Sequence, residues 1–294
     1  MDIIYTFHMP LFMFASGFIY IATKKDLSYG TFLLKKVHRL LLPYFVTSVI
    51  VITIKLLTQG GMTVDNPVTW MSYFRMFYLP EAGYFLWFIW ALWWMFVIVP
   101  LFKTKVSRLI FFVLSLILHY IPFSLPDIFC LEKFQNMLVF FMLGVVVYEI
   151  KDLNIFVSEY KPAQGIVAVI MFVVLQYAAK SIGGGKIVTA VSLILPYVGI
   201  WFVLEVSKFL NHSLRNIQSS WLMTVSAASY IIYLFHTTFE GFAKAVFRKL
   251  PLDSDLWYVF VPEAAVVVAL GVVAPIILYK LFKKYRATCF LFGL

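Results

Sequence analysis

The chain has 294 residues, of which 63% are hydrophobic, 19% are aromatic and only 13% are charged. Soluble domains carry about 25% charged residues, so this composition excludes an ordinary soluble protein and indicates an integral membrane protein. The formal charge of +10 does not indicate a nucleic-acid partner, because the basic residues lie in short connections between apolar runs. Such residues are placed to orient helices and to contact membrane lipids.

Nine apolar runs approach the roughly 20 residues that a membrane-spanning helix needs. The fourth run is the shortest. Because no polar block is long enough to form a second domain, we predict an all-α, polytopic transmembrane helix bundle with a single membrane domain over residues 1–294. The runs cover about 3–21, 40–57, 84–102, 107–121, 134–150, 164–180, 187–207, 221–240 and 257–280.

The connections between these runs differ in basic charge. One alternating set, with the C-terminal tail, holds sixteen Lys and Arg residues, and the other set holds seven. The positive-inside rule makes the richer set cytoplasmic. We therefore predict a multi-pass protein of the cell membrane with a cytoplasmic C-terminus. With nine spans Met1 would lie outside, and a tenth helix before Met1 would return the N-terminus to the cytoplasm.

The first run, MDIIYTFHMPLFMFASGFIY, carries His8 and Pro10 at membrane depth. Ionisable groups there are costly and are candidates for function. His8 could be a general base or a hydrogen-bond donor in a polar pocket, or it could be satisfied by a neighbouring helix. Pro10 should leave the Thr6 carbonyl without its helical partner. Gly17, like Gly144 further along, suits close helix contact.

A basic cluster lies before the second run, in KKVHRLLLPYF. Lys36 and Arg39 are three residues apart, so on an α-helix they would share one face. Guanidinium binds phosphate oxygens in a bidentate manner and lysine supplies a point charge, so the cluster could bind a polyanion. The alternative is that these residues only set the topology and contact lipid headgroups. Pro43 falls where the first turn of the second span is expected.

Further polar and aromatic candidates fall near the predicted outer surface, and no spacing predicts a metal site. Glu81, Trp87 and His236 could line a pocket there. Trp87 would alternatively belong to the aromatic belt, and His236 could be an interfacial residue at a helix end. Glu205 lies at the inner end of its span and should be paired or protonated.

Five stretches in this order resemble the membrane-bound acyltransferases of the acyltransferase 3 family. The resemblance covers nearly the whole chain. It implies a bundle of about ten membrane helices that moves an acyl group, commonly acetyl, from cytoplasmic acyl-CoA to a hydroxyl of an envelope or exopolysaccharide sugar. The stretches are FHMPLFMFASGFIY (7–20), KKVHRLLLPYF (35–45), LWFIWALWWM (86–95), FMLGVVVYE (141–149) and SYIIYLFHTTF (229–239).

The resemblance also implies roles for particular residues. The family's RxxR motif falls on residues 36–39, so Arg39 matches and Lys36 replaces the first arginine. Both are therefore expected to bind acyl-CoA, which is a donor substrate rather than a permanently bound cofactor. His8 and Pro10 match the histidine-proline stretch of the family's second helix. The first helix, with an arginine and a catalytic histidine, would lie before Met1.

That gap leaves several alternatives. Either the start lies upstream, or the chain is a noncatalytic remnant, or another chain or His8 takes over the catalytic role. A different class of protein is a glycan transporter or flippase, for which helices interrupted by Pro10, Pro196 and Pro275 would be natural. The two halves of the sequence show no convincing internal repeat, which a transporter of this kind often has.

Overall fold

The structure is a computed structural model. It describes residues 2–25, 27–61, 66–121, 123–150, 160–181, 186–213, 220–250 and 256–294. Over these ranges the chain forms α-helices, short 3₁₀ turns and one π-helical segment, without any strand. The predicted all-α class is therefore confirmed.

Thirteen α-helices lie within the described ranges, and each of the nine predicted runs coincides with one or more of them. They are α1 (Asp2–Tyr5), α2 (His8–Ala22), α3 (Tyr29–Lys36), α4 (Leu42–Thr58), α5 (Ser72–Arg75), α6 (Trp87–Ile98), α7 (Lys105–Tyr120), α8 (Leu131–Glu149), α9 (Pro162–Ser181), α10 (Lys186–Ser213), α11 (Ser220–Phe247), α12 (Trp257–Lys284) and α13 (Arg286–Phe292).

Eight helical stretches of the described chain, rather than nine, are long and apolar enough to cross a membrane. The difference is α7, the fourth predicted span, which has 16 residues. A spanning helix needs roughly 17 to 25. The chain is thus a multi-pass membrane protein.

The described residues group into two compact units. One contains residues 1–27, 97–126 and 132–217, and the other contains residues 28–96, 127–131 and 218–294. Each unit draws on distant parts of the sequence, so neither is a contiguous segment. The single membrane domain stays a prediction.

In the first unit, two glycines allow α2 and α8 to pack with their backbones in close contact. A Cβ added at Gly17 would collide with the carbonyl of Phe141, and one added at Gly144 would collide with the carbonyl of Phe14. Small residues allow such an approach between membrane helices. The close contact predicted at Gly17 and Gly144 is confirmed.

The first predicted span is broken next to Pro10. Helix α1 ends at Tyr5 and α2 begins at His8, because Pro10 has no N–H with which to bond the Thr6 carbonyl. At this break, the hydroxyl of Thr6 donates to the carbonyl of Ile3 at 2.7 Å. The proline therefore loosens the backbone beside His8, as the sequence indicates.

In the second unit, two tyrosines, of which Tyr44 is fully buried, hold the segment between α5 and α6. The Tyr44 hydroxyl donates to the carbonyls of Met76 and Leu79, at 2.7 and 3.1 Å. The Tyr233 hydroxyl donates to the carbonyl of Phe85 at 2.8 Å. Buried backbone carbonyls need such partners, so α4 and α11 hold this loop in place.

Candidate active site

The basic cluster lies on a helix that is longer than predicted. Helix α3 continues through a π-helical segment, Val37–Leu41, into α4. The Leu42 N–H donates to the carbonyl of Val37, five residues back. Pro43 explains the segment, since it cannot donate to the Arg39 carbonyl in an α-helix. The second span therefore begins well before residue 40, and Pro43 lies inside a continuous helical stretch.

The π-helical winding changes the directions in which Lys36 and Arg39 leave the helix axis. Lys36 ends α3, whereas Arg39 lies within the wider turn. Residues three apart are spread further around the axis there than on an α-helix, where they would share one face. Short π-helical segments occur frequently at functional sites. The two cations therefore lie on adjoining parts of the helix surface.

Lys36 is held by aromatic rings. Its Nζ atom lies 3.7 Å from the centroid of the Phe96 ring and 5.5 Å from that of Phe32. Such cation–π contacts contribute roughly 0.5–2 kcal/mol each. The side chain is half-buried, so its charge has a defined position rather than the freedom of a solvated lysine.

Arg39 has a different environment. It is exposed, and within the described chain no carboxylate lies within ion-pair distance of its guanidinium. An arginine without an internal carboxylate keeps all five of its donors for a ligand. This matches the chemistry that phosphate groups require.

The C-terminal helix α13 packs beside this cluster. The ring of Phe290 lies 4.2 Å from the ring of His38, centroid to centroid. Gly293 has a left-handed φ of 64°, and a Cβ there would lie 3.0 Å from the Cα of Arg39. Glycine suits both the conformation and the close approach. The C-terminus and the basic cluster therefore lie at the same end of this unit.

His8 belongs to the first unit, whereas Lys36 and Arg39 belong to the second. Its Nδ1 atom lies 3.0 Å from the carbonyl of Ile4. Because a carbonyl only accepts, Nδ1 carries the proton and Nε2 keeps its lone pair when the ring is neutral. His8 is thus in the tautomer that a general base needs.

His236 has the same tautomer. Its Nδ1 atom lies 3.0 Å from the carbonyl of Ile232 and 2.9 Å from that of Tyr233. The ring packs edge-on against Phe85, with centroids 5.1 Å apart. Its Nε2 atom is therefore an acceptor on the second unit.

The other two predicted pocket residues are engaged locally. Glu81 accepts a hydrogen bond from Ser72 at 3.0 Å and lies 3.8 Å from Arg75, so it fixes helix α5. Trp87 is buried at the start of α6 and packs on Phe88. A cavity does lie nearby, but neither residue lines it. Their role in binding stays a prediction.

Two ion pairs are buried, and the pair of Arg108 with Glu149 was not identifiable from the sequence. Arg108 donates from Nε to Glu149 at 3.0 Å and from Nη1 to the carbonyls of Phe102 and Lys103. Glu205 pairs with Lys208 at 2.7 Å, which confirms that it is partnered. The partners of Arg108 lie up to 41 residues away, beyond the reach of any local pattern.

In the described ranges no group of three or more His, Cys, Asp or Glu side chains lies close enough to hold a metal ion.

The comparisons with known proteins agree with the resemblance of the motifs. Residues 1–280 match the family model described as an acyltransferase domain, of the acyltransferase 3 type. No curated protein and no solved structure matches the chain. Since the family model covers nearly the whole sequence, this chain belongs to the membrane-bound acyltransferase 3 family.

Proposed function

We propose that this protein transfers an acyl group, acetyl in the first instance, from acyl-CoA to a hydroxyl of a cell-envelope or exopolysaccharide sugar. The observation that carries the proposal is the presentation of Arg39 within a family-matched acyltransferase chain. Its guanidinium is exposed on a π-helical segment and lacks a carboxylate partner among the described residues.

In this proposal Lys36 and Arg39 bind the phosphates of acyl-CoA at the cytoplasmic face, where the excess of basic residues places them. Lys36 supplies a fixed point charge and Arg39 supplies paired N–H donors. The C-terminus would be cytoplasmic too, because Gly293 lies against the backbone of Arg39.

The chemistry requires a base for the sugar hydroxyl. The hydroxyl oxygen attacks the thioester carbon, the C–S bond breaks, and the hydroxyl proton passes through the base to the departing CoA sulfur. A neutral imidazole suits this role. His8 is our candidate, because Nδ1–H is held by the Ile4 carbonyl and Nε2 is left as the acceptor.

The donor site can be tested with the full chain in nanodiscs. Arg39→Ala should weaken acetyl-CoA binding by at least about tenfold, since a hydrogen bond to a charged group contributes roughly 1.5–3 kcal/mol. Lys35→Ala is the matched control, because Lys35 is an exposed cation four residues away, and it should leave the affinity unchanged. Binding would be measured by calorimetry.

Transfer itself would be followed as radiolabelled acetyl appearing on a glycan acceptor. Arg39→Ala with unaltered acetyl-CoA affinity would contradict the donor site. Movement of a glycan across the membrane without acyl-CoA consumption would favour a flippase instead. Absence of both activities in a folded protein would favour a noncatalytic remnant.

A further inference from the structure

The second unit contains a cavity of about 340 Å³ at the end of α4 that carries Lys55. This volume is at the small end of the range of roughly 300–1,000 Å³ for small-molecule sites. It suits one or two sugar units rather than a long chain. The lining residues come from the end of α4, the segment before α6 and the end of α11, and include Lys55, Tyr84, Phe85, Glu240, Lys244 and Arg248.

The cavity and the basic cluster lie at opposite ends of α4. Lys36 and Lys55 are nineteen residues apart, which corresponds to about 29 Å at 1.5 Å per residue. The hydrocarbon core of a bilayer is about 30 Å thick. A donor site at Lys36 and Arg39 on one face therefore places this cavity at the other face, where an extracytoplasmic acceptor would arrive.

The charge of the lining is predominantly positive. Glu240 and Lys244 are four residues apart on α11, and Arg248 follows four residues later, directly after the helix ends. The Arg248 N–H donates to the carbonyl of Lys244 at 3.0 Å, so the three side chains follow one face. Lys55 comes from α4 and donates to the carbonyl of Asn66 at 3.4 Å. Among the lining residues that the structure describes, three cations and one carboxylate favour an anionic ligand, and arginine with lysine can bind a carboxylate or a phosphate.

The same cavity offers groups that recognise hydroxyls. Thr238 is a lining residue, and its Oγ1 atom is buried with no hydrogen-bond partner in the part of the chain that is described. A buried hydroxyl without a partner is unfavourable, so a ligand hydroxyl would satisfy it. Thr237 and Glu240 also line the cavity. Carboxylates accept hydrogen bonds from hydroxyls.

Small residues keep this space open. A Cβ added at Gly271 would lie 2.8 Å from Oε1 of Glu240, so the glycine leaves room for that carboxylate. Gly241 lines the cavity and has no atom within 4 Å of an added Cβ. The rings of Tyr84 and Phe85 complete the lining with apolar surface, on which the C–H face of a sugar can pack.

We propose that this cavity is the acceptor site and that it takes an acidic sugar, one that carries a carboxylate or phosphate beside its hydroxyls. That the bound sugar is an acyl acceptor rests on the proposed function. That the cavity binds an acidic sugar rests only on the residues that line it. Lys244 and Arg248 bind the anionic group, while Thr238 and Glu240 bind hydroxyls. The acceptor glycan would therefore be anionic rather than neutral.

The test uses the full chain in phosphatidylcholine nanodiscs and two probes, digalacturonate and its dimethyl ester. The ester keeps the ring hydroxyls and removes the charge. We expect the acid to bind at least about tenfold more tightly than the ester, with an affinity that falls as salt rises. The double variant Lys244→Gln/Arg248→Gln should lose about tenfold for the acid and little for the ester.

Lys249→Gln is the matched control, because Lys249 is an exposed neighbour outside the lining, and it should bind the acid normally. Thermal unfolding confirms that each variant folds. Equal binding of the acid and the ester would overturn the proposal, as would an equal loss in Lys249→Gln. Nanodiscs containing phosphatidylglycerol provide a further arm, since competition by that lipid would make the cavity a headgroup site and overturn the glycan assignment.

Acetyl-CoA binding, measured on the same samples, separates the two proposals. The double variant should bind acetyl-CoA normally, because Lys36 and Arg39 lie before the start of α4, at the end opposite Lys55. If the unmodified chain did not bind acetyl-CoA but still preferred the acid to the ester, only the proposed function would be refuted. If the chain bound acetyl-CoA but did not prefer the acid to the ester, only the acidic acceptor would be refuted.

Discussion

Arg108 in the first unit and Arg39 in the second have opposite environments. Arg108 is 6% exposed, and its guanidinium is satisfied by Glu149 and two backbone carbonyls. Arg39 is exposed and has no carboxylate partner in the described chain. Burying a charge requires full compensation, so Arg108 serves the fold. A guanidinium whose donors face outward contributes little to stability and is suited to a ligand.

The largest expected effect concerns Glu149. Glu149→Gln removes the carboxylate and leaves the charge of Arg108 buried, which typically costs about 3–5 kcal/mol of unfolding free energy. The measurement is denaturant unfolding in detergent micelles. Glu132→Gln is the control, because the Glu132–Lys133 pair is more exposed and such pairs contribute roughly 0–1 kcal/mol.

The same assay sharpens the comparison of the two arginines. Arg39→Ala should change the free energy of unfolding by less than about 0.5 kcal/mol, as surface substitutions usually do. If Arg39→Ala destabilised the protein as much as Glu149→Gln, Arg39 would have a structural role. Equal effects of Glu149→Gln and Glu132→Gln would show that the buried pair does not stabilise the first unit.

A smaller effect is expected where α2 and α8 touch. Gly17→Ala places a Cβ against the carbonyl of Phe141, and overpacking of this kind typically costs about 1–3 kcal/mol. Thermal unfolding would measure it. Gly30→Ala is the matched control, since no atom lies within 4 Å of its added Cβ and alanine favours a helix. A stable Gly17→Ala variant would refute the close packing.

The smaller of the two glycine effects is expected beside Arg39. Gly293→Val forces a β-branched residue into a left-handed conformation 3.0 Å from the Cα of Arg39. Left-handed geometry costs about 1–2 kcal/mol. If all of this strain were relieved by displacing Arg39, acetyl-CoA binding would weaken by about fivefold to thirtyfold. Thiol labelling of Cys289, on the same helix, would report the displacement of α13.

Gly60→Val provides the comparison for that variant, because its added Cβ meets no atom within 4 Å. Normal acetyl-CoA affinity together with unchanged Cys289 labelling in Gly293→Val would show that α13 does not position Arg39. Faster labelling with normal affinity would show that α13 moves without affecting the donor site.

Much of the fold could be predicted because helix formation in a membrane follows local properties. The apolar runs correspond to helices, since length and hydropathy determine what can span a bilayer. Gly17 and Gly144 indicated a close helix contact, and Pro10 indicated the break before His8. The weak points were α7, with its 16 residues, and the π-helical segment, where the effect of Pro43 extends across a continuous helix.

The candidate site was less accessible to sequence reasoning. Lys36 and Arg39 could be selected because they are close in sequence and match a family motif. The cavity could not be predicted, because Lys55 and Arg248 lie far apart along the chain and come to line one cavity only through the packing of the second unit. The spacing of Glu240, Lys244 and Arg248 was the one local signal for it.

By itself, then, the sequence determined the all-α membrane class, the approximate positions of the spanning helices and the family. These follow from composition, periodicity and short motifs, all of which are local along the chain. Only the tertiary structure decided which charges are satisfied internally, as at Arg108, and which are presented outward, as at Arg39. The physical reason is that the desolvation of a charge depends on partners brought from distant segments, which no local pattern encodes.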